Sequence, residues 1–503
     1  MGMVILRVVV RCGVDMSKSS IDVFAKRQAG VLCHPTSLPS GDLGPDAYHF
    51  INFLALSGFS LWQILPLNPT DDENSPYTSS SSLALNTKLI STILLKQWNW
   101  LPEDASSLSD SILSTACEYF KENASSDDKK RYKKFCTNQS HWLPDYALFH
   151  VIKLAQNGLP WHKWPKSLRE RNTKALQKVN EKHAIEIEQV IFSQFVVDRQ
   201  WQALRDYAAE RNIRIFGDLP IFVSHDSVDV WTNIALFHLL KNGQPKVIAG
   251  VPPDYFSKTG QRWGNPLYNW EKMAANDFLW WRQRMQRQLE LYDIIRIDHF
   301  RGFEAYWEIK ANQKTAVKGK WVKAPGEALF KSFVKHFGKL PLVAEDLGVI
   351  TKHVTALRKQ FNLPGMKILQ FAFEEGFNNA YLPHQHEQDS VVYSGTHDND
   401  TTLGWYQALD VGVKEKVNHY FASQDSDMPW PIIRAALASV SQTAIIPMQD
   451  ILALDSHARM NVPGIAKGNW QWQFNWQQVP EDLSANLLAI NTLYGRFGKD
   501  KKD

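Results

Sequence analysis

The chain has 503 residues, 44% hydrophobic and 21% charged, which is the balance of an ordinary globular protein. Its net charge of +4, from 56 basic and 52 acidic residues, is too small and too dispersed to indicate nucleic acid as the main partner. No apolar run reaches the roughly 18 residues of a membrane span, so none is predicted. The length allows one large barrel with insertions, or two to three domains.

The four cysteines, Cys12, Cys33, Cys117 and Cys136, form neither a CxxC pair nor a cluster with zinc-ligand spacing. We therefore expect reduced thiols in a cytoplasmic protein. Residues 1–27 are expected to form an N-terminal tail. Their short apolar stretch is interrupted by arginine and lacks a clear cleavage site, which disfavours a signal peptide.

Eight short apolar runs lack polar alternation, which is typical of strands buried on both faces of a parallel sheet. Segments long enough for helices lie between most of them, including Asp46–Ser57, Gln194–Arg211 and Lys352–Phe361. This alternation predicts an α/β fold, a (β/α)₈ TIM barrel. The eight runs are Gly30–His34, Leu61–Leu67, Ile213–Phe222, Ile294–His299, Leu342–Glu345, Met366–Phe373, Val391–Ser394 and Ala444–Gln449.

Two of the intervals between predicted strands are longer than a single helix with its loops requires. Residues of about 86–197, after the second strand, are rich in Lys, Glu, Ser and Trp with helical periodicity, and we predict an inserted helical subdomain there. Residues of about 224–288, after the third strand, form a second excursion that we interpret as lid-like. The catalytic barrel would then span 28–503.

Acidic residues recur where these strands end. The C-terminal ends of barrel strands surround the active site, so Asp298, Glu345 and Asp398 are expected on one rim. A single acid of this kind is at least as often a helix cap. Several like charges held together are costly, however, which favours a function for the group. Three further acids are assigned to structure or to support of the site: Asp346, Asp400 and Asp450.

Two chemistries use a rim of carboxylates. One is magnesium binding. The other is retaining glycoside chemistry, which needs one ionised carboxylate and one protonated acid about 5–5.5 Å apart. Arg296 lies two residues before Asp298 and so faces the same side of its strand, where it would keep that carboxylate ionised. This neighbour makes the glycosidic reaction the better fit.

The chain contains 19 Trp, 15 Tyr and 26 Phe, most of which we expect in the core. Aromatic residues among glycine and proline are harder to place there. An aromatic ring with an apolar face and a polar tip suits the surface of glucose. Tyr77, Tyr255, Trp263 and Tyr268 are therefore interpreted as loop residues that could contact sugar.

A series of motifs runs from Ala29 to Trp472. It includes HPTSLP from His34, SPY from Ser75, GDLP from Gly217, GVPPDYF from Gly250, RIDHFRG from Arg296, AEDLG from Ala344 and GTHDNDT from Gly395. In content and order the series resembles that of glycoside hydrolase family 77, the 4-α-glucanotransferases or amylomaltases. The chain departs from the family pattern after Trp470, where Gln473 stands in place of the usual arginine.

The resemblance implies a retaining double displacement that transfers α-1,4-glucan segments from a donor maltooligosaccharide to the 4-hydroxyl of an acceptor. It implies Asp298 as nucleophile, Glu345 as general acid/base and Asp398 as stabiliser of the transition state. It implies no metal and no organic cofactor. The glucan-binding positions that it implies are Tyr77, Asp218, Asp254, Gln261, Trp263, Arg296, His299, Phe371, His397 and Asn469.

Two alternatives share this sequence logic. An α-amylase-type hydrolase would use the same carboxylates, and a catalytically silent glucan-binding barrel would have lost one of them. All three acids are present, which disfavours the silent barrel. We expect α-1,4-glucans and maltooligosaccharides as partners, with no nucleic acid and no membrane. The sequence leaves the oligomeric state open, with a monomer expected.

Overall fold

The computed structural model describes residues 23–105, 107–253, 257–373, 378–465 and 467–497. The strands within these ranges are β1 (Gln28–Leu32), β2 (Leu61–Gln63), β3 (Arg214–Pro220), β4 (Val247–Val251), β5 (Gln261–Pro266), β6 (Ile294–Asp298), β7 (Ala305–Lys310), β8 (Gly319–Lys323), β9 (Leu342–Ala344), β10 (Gly365–Ile368), β11 (Ser390–Tyr393) and β12 (Thr443–Pro447).

Eight of these strands form one parallel sheet in the order β10-β11-β12-β1-β2-β3-β6-β9. Gly30 of β1 lies opposite Leu61 of β2, and Phe216 of β3 lies opposite Ile294 of β6. The sheet closes where the Ala344 N–H of β9 donates to the Pro364 carbonyl, beside β10, at 2.9 Å. The predicted (β/α)₈ barrel is confirmed.

Each of the eight predicted runs overlaps one barrel strand, but several strands are shorter than their apolar runs. The run Leu61–Leu67 is a strand only over Leu61–Gln63, and Met366–Phe373 is a strand only near its start. Residues Leu369–Ala372 form a 3-10 turn instead. Apolar residues beyond a strand end are still buried, so an apolar run predicts burial better than it predicts the end of a strand.

The helices surround this barrel and continue between its strands. Within the described ranges, none of them combines the length and the apolar character needed to cross a lipid bilayer. They are α1 (Pro45–Leu56), α2 (Thr92–Gln97), α3 (Asp110–Asn123), α4 (Ser126–Asn138), α5 (Leu143–Ala155), α6 (Lys166–Arg169), α7 (Thr173–Lys182), α8 (Ala184–Glu210), α9 (Val228–Thr232), α10 (Trp270–Ala274), α11 (Leu279–Leu291), α12 (Gly326–Phe337), α13 (Lys352–Gln360), α14 (Thr402–Ala408), α15 (Val411–Phe421), α16 (Trp430–Ala438), α17 (Met448–Ile451) and α18 (Leu483–Leu493).

The interval 86–197 contains helices α2 to α7, and α8 runs through its end without a break. Buried glutamines of α8 fix the segment that leads into this interval. Gln194 exchanges two hydrogen bonds with the backbone of Leu85, at 2.9 and 2.8 Å. Gln200 does the same with Ser91, at 2.8 and 2.9 Å. The helical region and the barrel therefore share one long helix.

A second sheet is antiparallel and has the order β5-β4-β7-β8. Two of its strands precede β6 in the chain and two follow it. The sequence did not predict it. Trp263 lies in β5, so its interpretation as a loop residue is wrong. Tyr268, which we expected near a sugar, is 1% exposed and donates its hydroxyl to the Ile221 carbonyl at 2.7 Å. Its phenol is thus satisfied within the core.

Candidate active site

Strand β6 places the first acid of the site. Alternate residues of a strand face the same side, and Ile294 packs in the apolar interior of the barrel with Phe216 and Val343. Arg296 comes next on that side and is 5% exposed. Asp298 follows at the strand end, where 30% of its side chain is exposed to a cleft of about 1070 Å³. The barrel interior is therefore apolar near the N-terminal ends of these strands and charged at their C-terminal ends, where the cleft lies.

Arg296 holds two carboxylates at once. Its Nη1 donates to both oxygens of Asp218, at 2.9 and 2.8 Å, and its Nη2 lies 3.0 Å from Asp298 Oδ1. Burial alone lowers the pKa of Arg296, but the charges of Asp218 and Asp298 raise it well above its usual value. The guanidinium therefore stays charged beside Asp298, as the i, i+2 spacing predicted.

Glu345 directly follows β9 and lines the same cleft. Its Oε2 accepts a hydrogen bond from the His299 N–H at 2.7 Å, and its Oε1 accepts one from the Leu347 N–H at 3.0 Å. His299 has a left-handed backbone with φ of 52°, which an ordinary side chain adopts at a cost of roughly 1–2 kcal/mol. This turn directs the N–H of the residue after Asp298 at the second acid.

The surroundings give the two acids different pKa values. Burial raises the pKa of Asp298 to about 6; Arg296 opposes that rise, and the charges of Asp218 and Asp398 add to it. Burial raises the pKa of Glu345 to about 7, again against Arg296 and with the charge of Asp298 adding to it. Asp298, in contact with the Arg296 guanidinium, is therefore the better placed of the two to carry the negative charge, and burial favours the protonated form of Glu345.

Asp398 is the most exposed of the three acids, at 48% of its side chain. Its Oδ1 accepts from Asn461 Nδ2 at 2.6 Å, and its Oδ2 lies 3.4 Å from His397 Nε2. Arg459 Nη2 donates to its backbone carbonyl at 2.9 Å. Sequence reasoning gave Arg459 and Asn461 no role, because they lie about 60 residues away in an irregular segment without periodicity.

Tyr77 lines the cleft with Asp398 and connects two residues behind its surface, Asp218 and His397. Its hydroxyl donates to Asp218 Oδ2 at 2.7 Å, so the 2.8 Å contact with His397 Nε2 requires the histidine to donate there. The two rings are nearly parallel, with centroids 5.3 Å apart, and Trp470 packs beside Tyr77. Burial lowers the pKa of His397 although Asp398 opposes this, so the ring is neutral at pH 7.

Trp263 also lines the cleft. Its ring meets His299 edge to face with centroids 4.8 Å apart, and its Nε1 donates to Gln261 Oε1 at 3.1 Å. Burial, together with Arg301, lowers the pKa of His299 to about 3. His299 Nε2 has no hydrogen-bond partner among the described residues. A neutral, unpaired ring nitrogen therefore lies beside the reacting carboxylates.

The predicted glucan-binding residues occupy three kinds of place. Asp218 and His397 lie behind the surface, and Asn469 is turned into its own loop, donating to the Ile465 carbonyl and accepting from the Val462 N–H. Asp254 lies outside the described residues. The other predicted positions line the cleft: Tyr77, Gln261, Trp263, Arg296, His299 and Phe371.

The three acids assigned to structure make internal contacts. Asp346 accepts from the Met366 N–H at 2.8 Å and lies 3.1 Å from Arg358. Asp450 accepts from Ser394 and Thr402, while Asp400, at the edge of the cleft, accepts from Ser456. In the part of the chain that the structure describes, no group of three or more His, Cys, Asp and Glu residues is placed to hold a metal ion.

Comparison with protein families agrees with this geometry. The family model described as 4-alpha-glucanotransferase, glycoside hydrolase family 77, matches residues 31–478. That interval includes every barrel strand but part of β1 and contains all three acids of the cleft. The chain belongs to this family.

Relatives in other organisms match over nearly their whole length. A 4-alpha-glucanotransferase of Synechocystis sp. is 46% identical, with 94% of this chain and 98% of the relative covered. One from Thermus thermophilus is 45% identical, over 92% and 98%. The amylomaltase of Streptococcus agalactiae, solved in complex with acarbose, superposes with a TM-score of 0.90 at 37% identity, covering 94% of this chain and 100% of that one.

Proposed function

We propose that this 4-α-glucanotransferase moves α-1,4-glucan segments by double displacement at Asp298, Glu345 and Asp398. The substrates are maltooligosaccharides and longer α-1,4-glucans, in the metabolism of starch, glycogen or maltodextrin. The observation that carries the proposal is a pair of acids in one cleft, of which Asp298 contacts the Arg296 guanidinium while Glu345 is held by the backbone N–H groups of His299 and Leu347. Retaining glycoside chemistry needs one protonated acid and one ionised carboxylate in one site.

In the first half of the reaction, Asp298 attacks the anomeric carbon while Glu345 gives its proton to the departing glycosidic oxygen. The bond from the anomeric carbon to that oxygen breaks, and an ester to Asp298 Oδ forms. Arg296 remains beside Asp298 through this step. Because Arg296 is also bound to Asp218, its position does not depend on the charge that Asp298 loses.

In the second half, an acceptor takes the place of the leaving glucan. Glu345, now ionised, removes the proton of the acceptor 4-hydroxyl as its oxygen attacks the anomeric carbon. The ester to Asp298 breaks, and the nucleophile is restored. The anomeric configuration inverts twice and is therefore retained. The backbone N–H groups of His299 and Leu347 support the ionised form of Glu345 during this half.

Asp398 acts on the sugar that carries the reacting carbon. Its carboxylate accepts hydrogen bonds from sugar hydroxyls, and these strengthen as the ring flattens toward the oxocarbenium ion. Asn461 fixes the carboxylate before the sugar arrives. Because the carboxylate is already oriented, no free energy is needed to orient it in the transition state.

Transfer requires that sugar reach the intermediate before water does. Trp263 and His299 form an aromatic wall beside Glu345, which favours a bound sugar and excludes water. We propose that this wall sets the ratio of transfer to hydrolysis. The proposal concerns the acceptor side, because Glu345 lies between the reacting sugar and its leaving group.

Incubation with maltotriose tests the function. Transfer predicts both free glucose and chains longer than maltotriose, since each donated segment is added to another molecule. An α-amylase-type hydrolase would give only shorter products, and a silent glucan-binding barrel would give none. Chromatography of the products over time separates the three outcomes.

We further propose that the protein works in the cytoplasm as a monomer. Cys33 and Cys117 are free and buried, which suits a reducing compartment. Cell fractionation and size-exclusion chromatography test the two statements. A dimer in solution would overturn the second without affecting the proposed chemistry.

A further inference from the structure

The distribution of exposed tryptophans points to a site outside the predicted set. All 19 tryptophans lie in the described ranges, and the fold buries or half-buries 17 of them. Trp263 is 38% exposed and Trp321 is 40% exposed. Both line the same cleft. Exposure of a large apolar ring is unfavourable in water, so two such rings in one cleft indicate a ligand with apolar faces.

Trp321 is held in place without a ligand. The Arg301 guanidinium lies over its ring, 3.7 Å from the centroid, and Trp307 of the neighbouring strand packs edge to face at 5.2 Å. Arg301 is itself fixed, because its Nη1 donates to the Val349 carbonyl at 2.5 Å. A ring held by a cation on one face loses little freedom when a ligand covers the other.

Neighbouring contacts place Trp321 on the Glu345 side of the cleft. The N–H groups that hold Glu345 belong to His299 and Leu347. Two residues further along each segment come Arg301 and Val349, which bind each other and support Trp321. The two segments thus run from the acid toward this ring. Glu345 protonates the leaving group, so this side receives leaving and acceptor chains.

The antiparallel sheet separates the two exposed tryptophans. Trp263 is on β5 and Trp321 is on β8, the two edges of the sheet, three strand spacings or roughly 14 Å apart. Trp263 contacts His299, next to the nucleophile, while Trp321 contacts Arg301. Trp321 therefore lies beyond the first acceptor sugar.

We infer that Trp321, backed by Arg301, is a stacking platform for a more distant glucose ring of the acceptor chain. It selects acceptors by length, because a single glucose bound next to Glu345 does not reach it. The inference rests on the proposed transferase function and adds a specificity-determining residue to it. Its ligand is the apolar face of an α-1,4-linked glucose unit.

The test varies the acceptor at constant donor. Amylose is supplied at saturation, the acceptors are glucose, maltose, maltotriose and maltotetraose, and the loss of iodine colour gives the initial rate. Trp321→Ala is expected to raise the KM for the longer acceptors roughly fivefold to tenfold, the loss of one aromatic stack. The KM for glucose and the kcat should stay within about twofold.

Three variants distinguish stacking from a structural role. Trp321→Phe keeps a ring and should recover most of the affinity, whereas Trp321→Leu keeps apolar bulk only and should behave like Trp321→Ala. Tyr420→Ala removes a similarly exposed ring, 37% exposed and outside the residues that line the cleft, and should change no acceptor KM.

An equal change in KM for all acceptors, or no change for any, would overturn the inference. The same follows if Trp321→Leu retains the wild-type preference for length. Failure of the proposed function gives a different result, because wild-type protein would then transfer to no acceptor at all.

Discussion

Two carboxylates with unlike neighbours define the site at the scale of residues. Asp298 contacts a guanidinium that also binds Asp218, while Glu345 contacts backbone N–H groups and, among the described residues, forms no ion pair. Burial raises both pKa values, and the value for Glu345 is the higher. The division into nucleophile and acid thus follows from the environment, since both groups are carboxylates.

The pH dependence of kcat/KM with maltotriose should be bell-shaped. Activity needs Asp298 ionised and Glu345 protonated, so it falls below pH about 6 as Asp298 gains a proton. It falls again above pH about 7 as Glu345 loses its proton. The two limbs belong to the interacting pair and are measured as apparent values. A profile that stays flat above neutrality would contradict the role of Glu345.

Asn461 tests whether Asp398 must be positioned. Asn461→Ala removes the donor 2.6 Å from Asp398 Oδ1, and kcat should fall roughly tenfold to a hundredfold, the usual worth of a bond to a charged group. KM should change less, because the interaction grows in the transition state. Asn461→Asp keeps the size but sets a second negative charge beside Asp398, so its activity should fall further as pH rises. Unchanged kcat in both variants would contradict the assignment.

At the level of elements, the antiparallel sheet carries the two exposed tryptophans of the cleft, Trp263 on β5 and Trp321 on β8. Its edge strands β5 and β8 are short and largely exposed, so neither an apolar run nor a clear alternation marks them in the sequence. Glycine and proline around Trp263 suggested a loop. The segment is a strand because it pairs with β4, which lies just before it in the chain and was not predicted as a strand.

Trp263→Ala should shift the reaction toward hydrolysis. Removal of the indole opens the space beside His299 and Glu345 to water. The ratio of free glucose to elongated chains from maltotriose should rise by roughly threefold to tenfold, an effect of about one stacking interaction. Trp263→Phe serves as the matched control and should keep most of the transfer. An unchanged ratio in the alanine variant would show that Trp263 does not exclude water from the intermediate.

Helix α8 stabilises the start of the inserted region. Gln200→Leu leaves the buried N–H of Ser91 without a partner and its carbonyl with only the long bond from the Leu95 N–H, 3.4 Å, which should cost about 2–4 kcal/mol. Gln202 on the same helix makes one weaker, partly exposed bond of 3.3 Å to Glu290, so Gln202→Leu should cost less than about 1 kcal/mol. Thermal unfolding followed by circular dichroism compares them. Equal melting temperatures would show that α8 does not fix this segment.

The whole molecule brings residues from Ser75 to Trp470 to one cleft. The strands and the acids at their ends could be predicted from the sequence, because apolar runs report burial and the barrel puts strand ends on one rim. The contacts of Asn461 and Arg459 with Asp398 could not, since they follow the last strand in irregular structure. Asn469 hydrogen-bonds its own loop, and its predicted contact with glucan stays a prediction.

The proposed mechanism requires a covalent glucan on Asp298 that forms and is resolved with the help of Glu345. Glu345→Gln removes the proton donor and base, and should slow turnover of maltotriose by roughly 10²–10⁴-fold. With α-maltosyl fluoride as donor, no proton donor is needed in the first step, because fluoride departs without a proton. The intermediate then forms but is resolved slowly.

Mass spectrometry of peptides from Glu345→Gln, quenched after reaction with α-maltosyl fluoride, is the most direct test. We expect the sugar on the peptide that contains Asp298, and none in the Asp298→Asn, Glu345→Gln double variant. A label on any other residue, or turnover of maltotriose by Glu345→Gln at the wild-type rate, would contradict the mechanism.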